Sequence, residues 1–196
     1  MRSKCIKSLI QTCSIVIGLC VLSQSLGGVE EIYKADPSHS GIGFKVRHFF
    51  TSVPGMFTDF EATIIRDTEN SENNSVDAII VVDSINTHNA KRDKHLRNED
   101  FFDEPGHPTI TFKSTRWEEI GENQFKVTGN LKLLNITKEI ILDVRLTGSG
   151  PNHRGVFLTG WELETTLDRR DFGITYGQDI IGNDVSVEIS IEAQKQ

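Results

Sequence analysis

Once the first 25 residues are set aside the chain has no cysteine, because Cys5, Cys13 and Cys20 all lie in that leader. This excludes a disulfide scaffold, thiol catalysis and cysteine-ligated zinc, and leaves an ordinary apolar core to hold the fold. Basic charge is scarce as well. The leader takes Arg2, Lys4 and Lys7 with it, leaving 18 basic against 28 acidic side chains and a net charge of -10. No Lys/Arg run interleaves with aromatics, so no nucleic-acid partner is expected. Enzyme signatures are missing too. There is no Gly-x-Ser-x-Gly elbow, no His-Glu-x-x-His and no phosphate loop.

The leader places its three cations ahead of the apolar run 14–22 and follows that run with small residues, the pattern of a secretory signal peptide. The run is shorter than the ~20 residues a bilayer span requires. Cleavage after Ser25 or after Gly27 satisfies the small-x-small requirement equally, and the bulky Leu19 before Cys20 argues against lipidation there. The expectation is a signal peptide over 1–25, one domain over 26–196, and a periplasmic destination.

Metal ligands are not grouped along the chain. His39, His48, His88, His95, His107 and His153 include no pair at i, i+2 or i, i+4 spacing, so no metal site is expected. His48 falls on the apolar parity of Ile42, Phe44 and Val46 and reads as a core histidine. The acidic stretch Asp67–Ser75 lacks the spacing and central glycine of a calcium loop and reads as a solvated hairpin tip.

Period-2 alternation is what the sequence does contain. Residues 125–133 carry apolar or glycine residues at odd positions and polar ones between, 140–146 nearly so, and 185–193 is the cleanest case. Weaker versions occupy 41–49, 57–65, 76–85, 109–117 and 157–167, about eight strands in all. One face polar and one apolar implies an antiparallel sheet, closed as a barrel or packed as a sandwich. Only residues 89–98 look helical, with Asn89 as the N-cap. Eleven phenylalanines against two tyrosines supply rings that fill a core or line an apolar tunnel.

Several blocks occur in a characteristic order: Asp36-Pro37-Ser38-His39-Ser40, Phe44-Lys45-Val46-Arg47-His48, Gly55-Met56-Phe57, Asp83–Thr87, Arg92–Leu96, Asp100-Phe101-Phe102, Pro108–Ser114 and Arg170–Ile174. Together they resemble the YceI-like family of bacterial exported proteins over essentially the whole mature chain. The resemblance implies an all-β fold: an extended, lipocalin-like, antiparallel eight-stranded β-barrel with one or two short helices. It also implies a tunnel holding a polyprenyl phosphate, an isoprenoid quinone or a long acyl amphiphile. One family segment ending in Arg-Gly-Val-Thr-Lys reads here Leu134-Asn135-Ile136-Thr137-Lys138, with Asn135 expected to take the left-handed turn conformation.

Alternation combined with the family blocks names Phe44, Val46, Phe57, Phe60, Phe101, Phe102, Ile110, Phe112, Leu131, Leu133 and Phe172 as tunnel-lining candidates, with Arg92 as a polar candidate. An ion pair of Arg92 with Asp93 would leave less charge for a phosphate. The leading reading is a carrier or reservoir for one isoprenoid or acyl lipid. It has no cofactor, no metal and no catalytic residue, touches membranes only transiently and is able to pair as a homodimer. A rival makes it an enzyme or chaperone for lipid-like substrates, with His39 and Asp36 as an acid/base pair at the mouth. A third reading is an interaction module with a filled barrel.

Overall fold

Alternating side chains become a closed ring in the computed structural model, which describes residues 28–196. The leader read as a signal peptide and its three cysteines lie outside these residues. Eleven strand segments form one antiparallel sheet that closes on itself. They are β1 (Glu30–Ala35), β2 (Gly41–His48), β3 (Thr51–Phe57), β4 (Phe60–Asp67), β5 (Ser75–Val81), β6 (Ile85–Asn86), β7 (Thr109–Gly121), β8 (Gln124–Leu133), β9 (Ile136–Pro151), β10 (Phe157–Asp168) and β11 (Ile181–Lys195).

The register reduces these to eight staves. β1 pairs with β4 (Lys34 opposite Thr63) and β2 with β3 (Ile42 opposite Phe57), so β1–β2 and β3–β4 are the two arms of one long hairpin. β5 and β6 follow one another along β4 and β3 as a third stave. β7 to β11 run as an uninterrupted meander. β11 then closes the ring, pairing with β2 through residues 181–190 and with β1 through Ala193–Lys195. The antiparallel sheet expected from alternation is present, and it closes as the eight-stranded barrel that the family resemblance implies rather than packing as a sandwich.

One α-helix, α1 (Ala90–Leu96), lies in the connection between β6 and β7, and Asn89 caps it by accepting from Arg92 N–H. Short 3-10 turns interrupt the staves at Pro37–His39 and Val82–Ser84 and also occupy Ser71–Asn73 and Arg169–Phe172. One barrel end carries α1, the loop after Arg169 and the two-residue hairpins at 49–50 and 134–135; the other carries the start of β1, the C-terminus and the turns at 68–74, 122–123 and 152–156.

Two turns differ from expectation. At 133–136 the left-handed residue is Leu134 (φ 54°), not Asn135, because Leu134 packs against the core while Asn135 reaches His107 at 3.2 Å. The segment after Asp67 is not merely a solvated tip. Asp67 and Asn74 are buried: the Asp67 carboxylate accepts from Glu69 N–H, Asn70 N–H and Asn73 Nδ2, and Asp67 N–H donates to Asn74. Local side-chain bonding of this kind substitutes for ladder bonds where the strands end.

Inside the ring, Gly129 is a point of close packing. A Cβ there would meet Phe112 Cζ at 2.4 Å and the Lys113 carbonyl at 2.7 Å, so the ring of Phe112 lies against bare backbone. Gly129→Ala is expected to lower stability by roughly 1–3 kcal/mol in urea unfolding, the cost of overpacking a filled site. Gly148→Ala, which meets nothing within 4 Å, is the matched control and should change stability by less than ~0.5 kcal/mol.

Candidate ligand-binding cavity

Closing eight staves leaves an interior whose filling depends on side-chain size. Here it is not filled. A cavity of about 530 Å³ runs along the barrel, within the size range of small-molecule sites. Room comes from small residues placed opposite one another. Ala62 and Ala78 are cross-strand partners facing inward, and Ala78 in turn is paired with Phe112.

All twelve residues singled out in the sequence border this cavity. Phe44, Val46, Phe57 and Phe60 come from the first hairpin, and Arg92, Phe101 and Phe102 from the α1 connection. Ile110, Phe112, Leu131 and Leu133 come from β7 and β8, and Phe172 from the turn after β10. At the end bearing the 122–123 turn, Trp117 and Trp161 border the cavity edge-to-face with centroids 5.9 Å apart and make a floor, and Phe125 packs against both at 5.7 and 6.3 Å. Trp161 Nε1 donates to Thr159 Oγ1, whereas Trp117 Nε1 is buried without a partner. Toward the α1 end the lining changes character. His48, Tyr176 and Ile180 border the cavity and are also exposed to solvent, so the mouth is there. His48 is therefore a mouth residue rather than a core histidine.

Cations collect at this end without carboxylates in the cavity wall. Arg92 Nε donates to Thr87 Oγ1 and its terminal nitrogen to the Thr87 carbonyl, both at 2.8 Å. Asp93 does not pair with it. Asp93 instead accepts from Thr87 N–H and Thr87 Oγ1, and no carboxylate lies within 4.0 Å of Arg92 among the described residues. The expected Arg92–Asp93 ion pair is thus replaced by a relay through Thr87 that leaves the charge uncancelled. His95 is held by Asp100 at 2.9 Å and packs edge-on to Phe101 and Tyr176.

Arg169 escaped the sequence reading. It is 5% exposed, borders the cavity, and clasps the loop after Phe172 by donating to four carbonyls: Ile174, Tyr176, Ile181 and Gly182. Burial pushes its pKa down, yet an arginine keeps its proton, so the site holds a buried positive charge. The missed signal was parity: Leu163, Thr165 and Leu167 point inward along β10, and Arg169 continues the same alternation.

Asp36 and His39 are not at the mouth. Neither borders the cavity; they sit on the outer wall where β1 gives way to β2, with His39 Nδ1 3.0 Å from Asp36 and 3.6 Å from Glu192. One ligand atom from each of these three residues falls within 4.8 Å of the others. Asp36 is already engaged, accepting from Ser38 N–H and Gln194 Nε2. The arrangement pins the β1–β2 kink to β11.

The YceI-like domain family matches this chain over residues 33–193. A UPF0312 protein of Pectobacterium atrosepticum is 35% identical over 167 residues, spanning 84% of this chain and 86% of the relative. The crystal structure of the YceI protein of Campylobacter jejuni is 31% identical, with a TM-score of 0.69 over 75% of this chain and 87% of that one. A polyisoprenoid-binding domain from Saccharophagus degradans shares the fold at 16% identity, with a TM-score of 0.63 over 84% of this chain and 98% of its own.

Two outcomes are expected. Arg169→Met should strand buried carbonyls and cost about 1–3 kcal/mol in chemical unfolding, with loss of order in the 173–180 loop by hydrogen exchange. His39 should titrate above its ordinary 6.5, chiefly because it donates to Asp36, and Asp36 below its ordinary 3.8, chiefly through the same bond. The stabilisation from His39 is then complete below pH 6.5 and lost as pH rises through the raised value. That from Asp36 is present above pH 3.8 and lost as pH falls through the lowered one. Asp36→Asn should bring the His39 NMR titration back toward 6.5.

Proposed function

The chain belongs to the YceI-like family, and from that membership and the chemistry of its cavity we propose that it binds one long isoprenoid or acyl amphiphile inside the barrel. It carries or stores this lipid in the periplasm after export and performs no covalent chemistry on it. The observation that carries the reading is the cavity itself: apolar along its length, floored by aromatic rings, and cationic only at the exposed end. Each buried methylene of a chain contributes about 0.8 kcal/mol, so a tail of modest length is held tightly without any polar contact. That a protein of this fold from Saccharophagus degradans is a polyisoprenoid-binding domain supports this ligand class.

The head group follows from the mouth. Arg92 and Arg169 face the cavity with no carboxylate among the described residues that line it, so an acceptor-bearing head group, a polyprenyl phosphate or a quinone, fits better than a cation. A rival enzyme reading loses its residues, because Asp36 and His39 stand outside the cavity. The filled-barrel reading conflicts with the cavity volume.

Native mass spectrometry of the protein isolated from its own periplasm, followed by organic extraction, should release one stoichiometric long-chain lipid. Ala78→Trp should expel it by filling the space that Ala62 and Ala78 leave, retention falling roughly tenfold for each two methylenes displaced. Exposed Lys132→Glu should retain it in full. Equal retention by the two variants overturns the tunnel assignment.

A further inference from the structure

The most exposed large apolar side chain among the described residues is Phe50, at 96%, and its neighbour Phe49 is 52% exposed. They are the two loop residues of the hairpin joining β2 to β3, where His48 pairs with Thr51. Turn chemistry asks for something else here: a two-residue hairpin favours glycine, asparagine or aspartate, and Phe49 is held at φ 49°. At the far end of the barrel the hairpin at 122–123 places Asn123 at φ 56°, the residue type that conformation suits. So at the mouth local preference yields to bulk apolar rings that the protein does not bury. The rings stack only on one another, His48 on Phe49 at 4.9 Å and Phe49 near Phe50 at 6.4 Å.

The tip belongs to a larger crown. Phe49 N–H donates to the Ile180 carbonyl at 2.8 Å, tying the hairpin to the loop that carries exposed Tyr176 and Ile180. His48, Tyr176 and Ile180 belong at once to this surface and to the cavity wall, so whatever covers the crown covers the mouth. Arg47, exposed beside the tip, has no carboxylate within 4.0 Å among the described residues. It is free to meet a phosphate.

We propose that the Phe49–Phe50 tip inserts into the surface of a lipid bilayer and seats the cavity mouth on the membrane. Exposed rings backed by an unpaired cation match the apolar and phosphate layers of a bilayer interface. Docked in this way, a long tail passes between bilayer and barrel without crossing water. The transfer role rests on the cavity being a lipid site; the docking itself does not.

The experiment compares ligand-free wild type with Phe49→Gly/Phe50→Ser, whose turn residues suit the hairpin and protect the fold, and with Arg47→Gln. Neither phenylalanine borders the cavity. Co-sedimentation uses phosphatidylcholine vesicles with and without phosphatidylglycerol, and size exclusion reports oligomeric state. Wild type should sediment with vesicles, the double variant should lose at least tenfold of that binding, and Arg47→Gln should lose the part that phosphatidylglycerol adds. Failure of wild type to sediment, or equal sedimentation of wild type and double variant, overturns the proposal. So does a wild-type dimer that the double variant converts to monomer without vesicle binding, which would make the crown an interface between copies. Native mass spectrometry of wild type as purified, before ligand is stripped, keeps the two readings apart: phenylalanine-dependent sedimentation with no lipid in the purified protein leaves docking standing and removes the cavity reading.

Discussion

Closure of the sheet by β11 against both β1 and β2 is the constraint on which the rest of the molecule depends. A ring of staves has no unpaired edge, so residues 28–196, acidic and without cysteine, leave no sheet edge open and need neither disulfides nor a covering layer to protect one. It also fixes what happens to alternate side chains. Every second residue is committed to an interior of set width, and the sum of their sizes decides between a core and a cavity. With Ala62 facing Ala78 across two staves, the interior is left partly empty.

That division explains what could be read from the sequence. Alternation in 125–133 and 185–193 gives strand identity and inward parity directly, and the inward parity of Phe112, Leu131 and Leu133 places them on the cavity wall. Asn89 and the charged run after it were legible as a capped helix because capping is local. The emptiness of the barrel was not legible, since it depends on which small residues meet across staves distant in sequence. Nor was the fate of Arg92, whose partner is a threonine hydroxyl and carbonyl rather than the adjacent aspartate. Asp36 and His39 were legible as a bonded pair but not as a pair on the outer wall, because the 3-10 kink between β1 and β2 turns them away from the interior. Arg169 could have been found by carrying the parity of β10 two residues past Leu167.

Polar groups at the mouth divide the labour between holding the protein and leaving charge available. Arg169 spends its donors on four backbone carbonyls and so fixes the loop that frames the opening, while no ion pair among the described residues compensates its charge. Arg92 is steadied through Thr87 and Asp93 in a chain of hydrogen bonds that orients the guanidinium without neutralising it. The effect is a fixed positive potential at one end of an apolar tube, which favours, for the proposed amphiphile, head outward and tail inward. The floor cluster of Trp117, Phe125 and Trp161 offers no charge at the other end, so the two orientations of a ligand are unequal.

The first three staves are each interrupted at one height: at Pro37–His39, at Thr58–Asp59, and at Val82–Ser84, where Thr58 N–H bonds to the Ser84 carbonyl in place of a regular rung. The five from β7 to β11 run as continuous strands, bent by bulges at Ser114–Arg116, Glu119–Gly121 and Gly160–Trp161 but nowhere interrupted. A wall of interrupted staves bends at less cost than one of continuous strands, so the barrel is expected to yield more readily on the side that bears the exposed phenylalanines. In a carrier of the proposed kind, a bulky or branched chain is therefore expected to strain β2, β3 and β6 before it strains the continuous strands of the opposite wall.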